Sequence, residues 1–118
     1  MAYEGEIQNY APAEVDEVGQ IILKARELLS DPAKWSQGHF ASKGSYCILG
    51  ALGFRRFSKR AENDPAVKRI SGLIPPTFSE SVWGEINDPD QRVATFNDSA
   101  DHADVLALLD RAAKGGKP

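Results

Sequence analysis

The side chains able to do covalent or proton-transfer chemistry in this 118-residue chain are few: one cysteine and two histidines among 17 carboxylates. Cys47 opens the most apolar run of the sequence, GSYCILGALGF at 44–54. With Ser45 as an N-cap, Cys47 falls in the first turn of a helix, where unpaired backbone N–H groups and the helix dipole favour a thiolate. Nucleophilic catalysis also needs a base within hydrogen-bond reach and a group that orients that base. His102 can serve as the base, with Asn97 or Asp98 as the orienting group. The chemistry of such a set would be acyl or amide hydrolysis.

The competing reading of Cys47 is structural, and the residues around it support it better. On a helical wheel Cys47 shares a face with Gly50, Ala51, Phe54 and Phe57, and cysteine is among the most buried residue types. Gly50 and Gly53 each cost a helix about 1 kcal/mol, which points to a backbone or ring packed closely against them. His102 lies in the first turn of the last helix on the side of Val105 and Leu109, where a partly buried, hydrogen-bonded imidazole is expected. We therefore assign no catalytic residue and keep Cys47, His102, Asn97 and Asp98 as the alternative.

One cysteine and two distant histidines, His39 and His102, cannot close a structural zinc site within one chain. The acidic stretches NDPDQ (87–91) and NDSADHAD (97–104) lack the glycine and terminal glutamate of a calcium loop, and turns and caps account for them. No glycine loop of the phosphate-cradling kind occurs, and no cofactor is implied. RRFSKR at 55–60 has four basic residues in six. Placed at the end of the central helix they would offset its dipole, although they could also contact an acidic partner.

The elements that must position these residues follow from capping and periodicity. Pro12 opens a first helix in which Val15, Val18, Ile22, Ala25 and Leu29 share one side, and Ser30-Asp31-Pro32 ends it and caps a short turn carrying Trp35. After a connector, SQGHFASKG, the buried central helix runs through YCILGALGFRRFSKRA. Asn63-Asp64-Pro65 starts a shorter helix through Val67, Ile70, Leu73 and Ile74. Thr77 to Glu80 reads as a capping box ahead of a helix with Val82, Trp83 and Ile86. RVATF (92–96) is a brief β-prone run, and a last helix starts near Ser99, aligns Val105, Leu108, Leu109 and Ala112, and ends at Gly115-Gly116. The expected fold is all-α, a compact single domain of about five helices around the buried central one, with at most one short extended segment near Val93. Residues 1–11 read as a loose arm, 12–114 as the domain and 115–118 as a tail.

With 42% hydrophobic and 26% charged residues the chain belongs with ordinary globular proteins. A net charge of -3 gives no general field for nucleic acid or an anionic membrane. The single cysteine and an acidic, polar N-terminus point to a cytoplasmic protein. A protein partner is the expected kind of interaction, for a monomer or a small homo-oligomer.

Four stretches, WSQG (35–38), CILGAL (47–52), FND (96–98) and DVLALLDRA (104–112), resemble a family of small uncharacterised bacterial and phage proteins classed as a domain of unknown function. The positions that carry the resemblance are Trp35, Gly38, Cys47, Gly50, Ala51, Asn97, Asp98 and Val105; Phe96 stands where a tryptophan is expected before Asn-Asp. The resemblance implies a compact helical fold and no activity. On these grounds the expected function is a protein-binding or regulatory module without catalysis, contacting its partner through Trp35, Trp83, Arg55 and Arg56, since aromatics and arginine dominate interface energetics. The alternative is a small hydrolase that uses Cys47.

Overall fold

The first helix shows how strongly caps govern this chain. The computed structural model describes residues 15–74, 80–81, 84–85 and 88–115. Asp16 accepts the Gly19 N–H at 2.8 Å and so fixes the start of α1 (Glu17–Leu29), with Ile22, Ala25 and Leu29 buried as the periodicity predicts. The start at Pro12 is corrected: Val15 and Asp16 are not helical, and 12–14, like the arm at 1–11, lie outside the described residues. At the other end Asp31 accepts the Ala33 N–H and Pro32–Lys34 form a 3₁₀ turn that delivers Trp35.

The region of Cys47 departs from expectation. Ser45 is not an N-cap but part of β2 (Ser45–Tyr46), paired antiparallel with β1 (Ala41–Ser42). Lys43 and Gly44, the two turn residues, have φ of 52° and 85°, the left-handed pair that matches the twist of a two-residue hairpin. Extended backbone is thus found here rather than near Val93. Helix α2 (Ile48–Ala51) follows as a single turn and ends because Gly53 adopts a φ of 104°. The long central helix is therefore split into α2 and α3 (Lys59–Glu62), and Ser58 caps the second piece by accepting the Ala61 N–H. RRFSKR is not the end of one long helix: Arg55 donates to the Gly50 carbonyl at the end of α2, while Lys59 and Arg60 lie in the single turn of α3. Gly50 is needed for close approach, since a Cβ there would run into the Phe40 carbonyl; Gly53 instead serves its left-handed φ.

Helix α4 (Pro65–Gly72) begins as the Asp64-Pro65 pair predicts, with Asp64 accepting from Ala66 and Val67 N–H. The helix expected across 77–86 is absent where the chain is described: β3 (Glu80–Ser81) pairs with β4 (Gly84–Glu85), and Trp83 lies outside the described residues. Serine, glycine and β-branched or aromatic residues in this stretch are poor helix formers. RVATF is helical, inside α5 (Pro89–Ser99). Pro89 sets its first turn, and Val93, Phe96, Asn97 and Ala100 form one inward stripe that outweighs local β propensity. Ser99 closes α5, so α6 (His102–Ala113) starts three residues later than expected, after Asp101.

The helices enclose one core whose wholly buried members include Ile22, Leu29, Ile48, Leu49, Val67, Ile70, Val93, Val105 and Leu109. Each contributes about 1.5–3 kcal/mol relative to exposure. Helices α1 and α6 lie antiparallel, joined at one point by Arg26 and Asp110 at 3.0 Å and at another by His102 Nε2 against the Leu29 carbonyl at 2.6 Å. Arg92 donates to Ser71 Oγ and to the Ile74 carbonyl, closing the end of α4 on α5. Among the described residues no helix is long and apolar enough to cross a membrane.

Candidate functional site

The residues singled out for chemistry converge on α5, but what they build is a clamp. Asn97, wholly buried in the middle of the fold, uses all four hydrogen-bonding positions of its amide. Its Oδ1 accepts from the Trp35 indole N–H at 2.8 Å and from the Ile48 backbone N–H at 3.2 Å. Its Nδ2 donates to the Ser36 carbonyl at 3.0 Å and to Asp98 Oδ1 at 3.1 Å. Asp98 accepts the Gly38 N–H at 2.9 Å, and Gln37 donates to the carbonyls of Asn97 and Ala100, so the connector 35–38 is bound along the end of α5. Both Asn97 and Asp98 are inside α5.

Trp35 is accordingly half-buried against the core with its one donor committed to Asn97. His102 packs its ring against Trp35, with centroids 5.3 Å apart. A carbonyl oxygen only accepts, so His102 Nε2 carries a proton toward Leu29.

Cys47 is itself the N-cap of α2: its Sγ accepts the Gly50 N–H at 3.4 Å, and its backbone is extended. It is 3% exposed. Burial pushes its thiol up from the ordinary range, with backbone N–H groups of Gly50 and Leu49 pulling the other way and the nearby Asp98 charge adding to the push. Beside it is a small pocket of about 130 Å³ whose walls include His39, Phe40, Phe57, Ala94 and Asp98. The histidine on this pocket is thus His39, not His102. Sequence reasoning assigned His39 no role, and only the hairpin after it brings it there. A thiol held in its neutral form beside a carboxylate lacks the electropositive setting that activates a nucleophile. Among the described residues no cluster of His, Cys, Asp and Glu is placed to hold a metal ion.

Phe57, inside the basic run, lines this pocket. Phe57 is 47% exposed and meets Phe40 edge to face at 5.1 Å. Arg55 donates to the Gly50 and Phe54 carbonyls and lies 5.5 Å over Tyr46, while Arg60 lies 5.5 Å over Phe54. Arg56 and Lys59 are exposed beside them. The buried Asp90 carboxylate holds the loop from below by accepting the Ser58 N–H. Sequence reasoning missed Phe57 as a surface residue because an unbroken helix would have carried it into the core.

The model of a family of unknown function, DUF6197, matches residues 13–115, and the chain belongs to that family. No curated protein and no solved structure matches the chain.

Proposed function

We propose that this chain is a protein-binding or regulatory module without chemistry of its own, and that its contact surface is the loop 54–60 with the pocket beneath it. The observation that carries the reading is the exposed Phe57, braced by Phe40 at the pocket and flanked in sequence by the exposed Arg55, Arg56, Lys59 and Arg60. Aromatic and arginine side chains already held by neighbours lose little freedom on binding, which is what an interface centre needs. The charges select a partner segment with Asp or Glu flanking a large apolar residue, a choice the net charge of the whole chain does not anticipate. The hydrolase alternative is disfavoured by the capped, buried thiol and by the placement of His102 on Trp35.

Selection of displayed short peptides against the folded protein tests this directly. Acidic sequences with one aromatic or branched apolar residue should be enriched, and Phe57→Ser or Arg56→Glu should weaken their binding at least about tenfold without loss of fold. Enrichment with no acidic bias, or binders indifferent to both variants, refutes the assignment.

A further inference from the structure

We infer that the outer face of α1 docks into the groove between α5 and α6 of a second copy of this chain. The groove has a volume of about 390 Å³, an apolar floor that includes Leu73, Phe96, Ala100 and Leu108, and Asp104 and Arg111 on its α6 side. Asp104 and Arg111 are exposed and form no ion pair among the described residues. Seven residues separate them, about 10 Å along one stripe of the helix.

The outer face of α1 has the complementary pattern at the same spacing. Ile21 is 51% exposed, an unusual position for a large apolar side chain in this fold. It lies between Glu17 and Lys24, which are also seven residues apart, exposed and without an ion pair among the described residues. Laid antiparallel to α6, this stripe sets Lys24 against Asp104 and Glu17 against Arg111, with Ile21 over Ala107 and Leu108 and the half-buried Leu28 toward Ala100. The parallel arrangement would oppose like charges at both ends, so charge alone fixes the direction. Both halves belong to one chain, and α1 packs beside α6 within the molecule, so the contact can be reciprocal about a two-fold axis. Glu27, on the flank of the stripe, approaches Asp101 in this register and is the like-charged neighbour that keeps the association weak.

Analytical ultracentrifugation of the full chain from about 10 to about 500 µM, the range of weak association, tests the inference. The mass should rise from 12.9 kDa toward twice that value. Ile21→Asp should abolish the rise, and Lys24→Glu or Asp104→Lys alone should weaken it about tenfold, with the double reversal recovering to within about threefold. Glu27→Lys should tighten it. All these positions are exposed, and circular dichroism confirms that each variant is folded. A monomer at every concentration overturns the inference, as does a dimer unmoved by Ile21→Asp or a charge reversal that is not rescued in the double variant.

Discussion

Replacing Asn97 by alanine should cost more stability than any single truncation at the surface, because one amide joins three segments. The change leaves the Ile48 N–H without its acceptor in a fully buried position, at about 2 kcal/mol, since an orphaned buried donor loses its desolvation free energy outright. The Trp35 indole and the Ser36 carbonyl lose partners in half-buried positions, at about 1 kcal/mol each. The total of about 4 kcal/mol is a large fraction of the 5–15 kcal/mol typical of a domain, and corresponds to a fall in Tm of about 15 °C at this chain length. Urea and thermal unfolding followed by circular dichroism measure it. Asn97→Asp sharpens the test: the carboxylate keeps the acceptor for Trp35 and Ile48 but sets a second oxygen against the Ser36 carbonyl and Asp98. Burial and Asp98 then favour the protonated acid in the folded state, so this variant should be most stable at acid pH and lose stability as pH rises. If Asn97→Ala lies within about 1 kcal/mol of the parent, or Asn97→Asp matches it at neutral pH, the clamp does not hold the fold.

The glycines separate by what surrounds them. Gly50→Ala should prevent stable folding, because the added carbon meets the Phe40 carbonyl, whereas Gly72→Ala, with open space around it, should be neutral or stabilise by up to about 1 kcal/mol in the same unfolding assay. Asp16, with its carboxyl lowered from 3.8 to about 2 by hydrogen bonds from Arg69 and from the Gly19 N–H, should titrate by NMR near that value and move back toward 3.8 in Arg69→Ala. Because the folded value is depressed, the contribution of Asp16 is complete above about pH 4 and is lost as pH falls toward 2. Iodoacetamide should label Cys47 at least about a hundredfold more slowly in native than in denatured protein near neutral pH, and stability should fall once pH exceeds the ordinary thiol value of 9.0. Rapid native labelling with a low apparent pKa refutes that. Cys47→Ser should be tolerated, because serine is a better N-cap, and Cys47→Ala should cost about 1 kcal/mol more than Cys47→Ser; equal values show that the sulfur only fills space.

Caps and apolar stripes were legible in the sequence wherever they agreed. α1 and α4 have both, α6 has the stripe without a side-chain cap, and the structure departs from expectation in these helices only at the ends. α5 was not legible because its inward stripe includes a polar residue: at position 97 the periodicity is carried by an amide whose hydrogen bonds come from residues about fifty to sixty positions away. Nothing local signals that. The run after Cys47 was misread for the opposite reason. Its composition suits a long buried helix, but Lys43-Gly44 and Gly53 adopt left-handed conformations that fold the chain into a hairpin and then break the helix after one turn.

These errors bear on where function should be sought. Trp35, Gly38, Cys47, Gly50, Asn97 and Asp98, six of the eight positions on which the resemblance rested, are joined by the Asn97 clamp, the α2 cap and the contact of Gly50 with Phe40. Their residue types are explained by hydrogen bonds and packing that the fold requires, and give no support to a catalytic set. The loop 54–60 is different. Phe57 is exposed where burial was available to an uninterrupted helix, and its sequence neighbour Arg56 is exposed with no hydrogen bond or ion pair among the described residues. Hydrogen bonds and ring contacts account for Arg55 and Arg60 but leave about half of Phe57 and the Arg56 guanidinium uncommitted, which is the support for proposing recognition at Phe57 instead of at the cysteine.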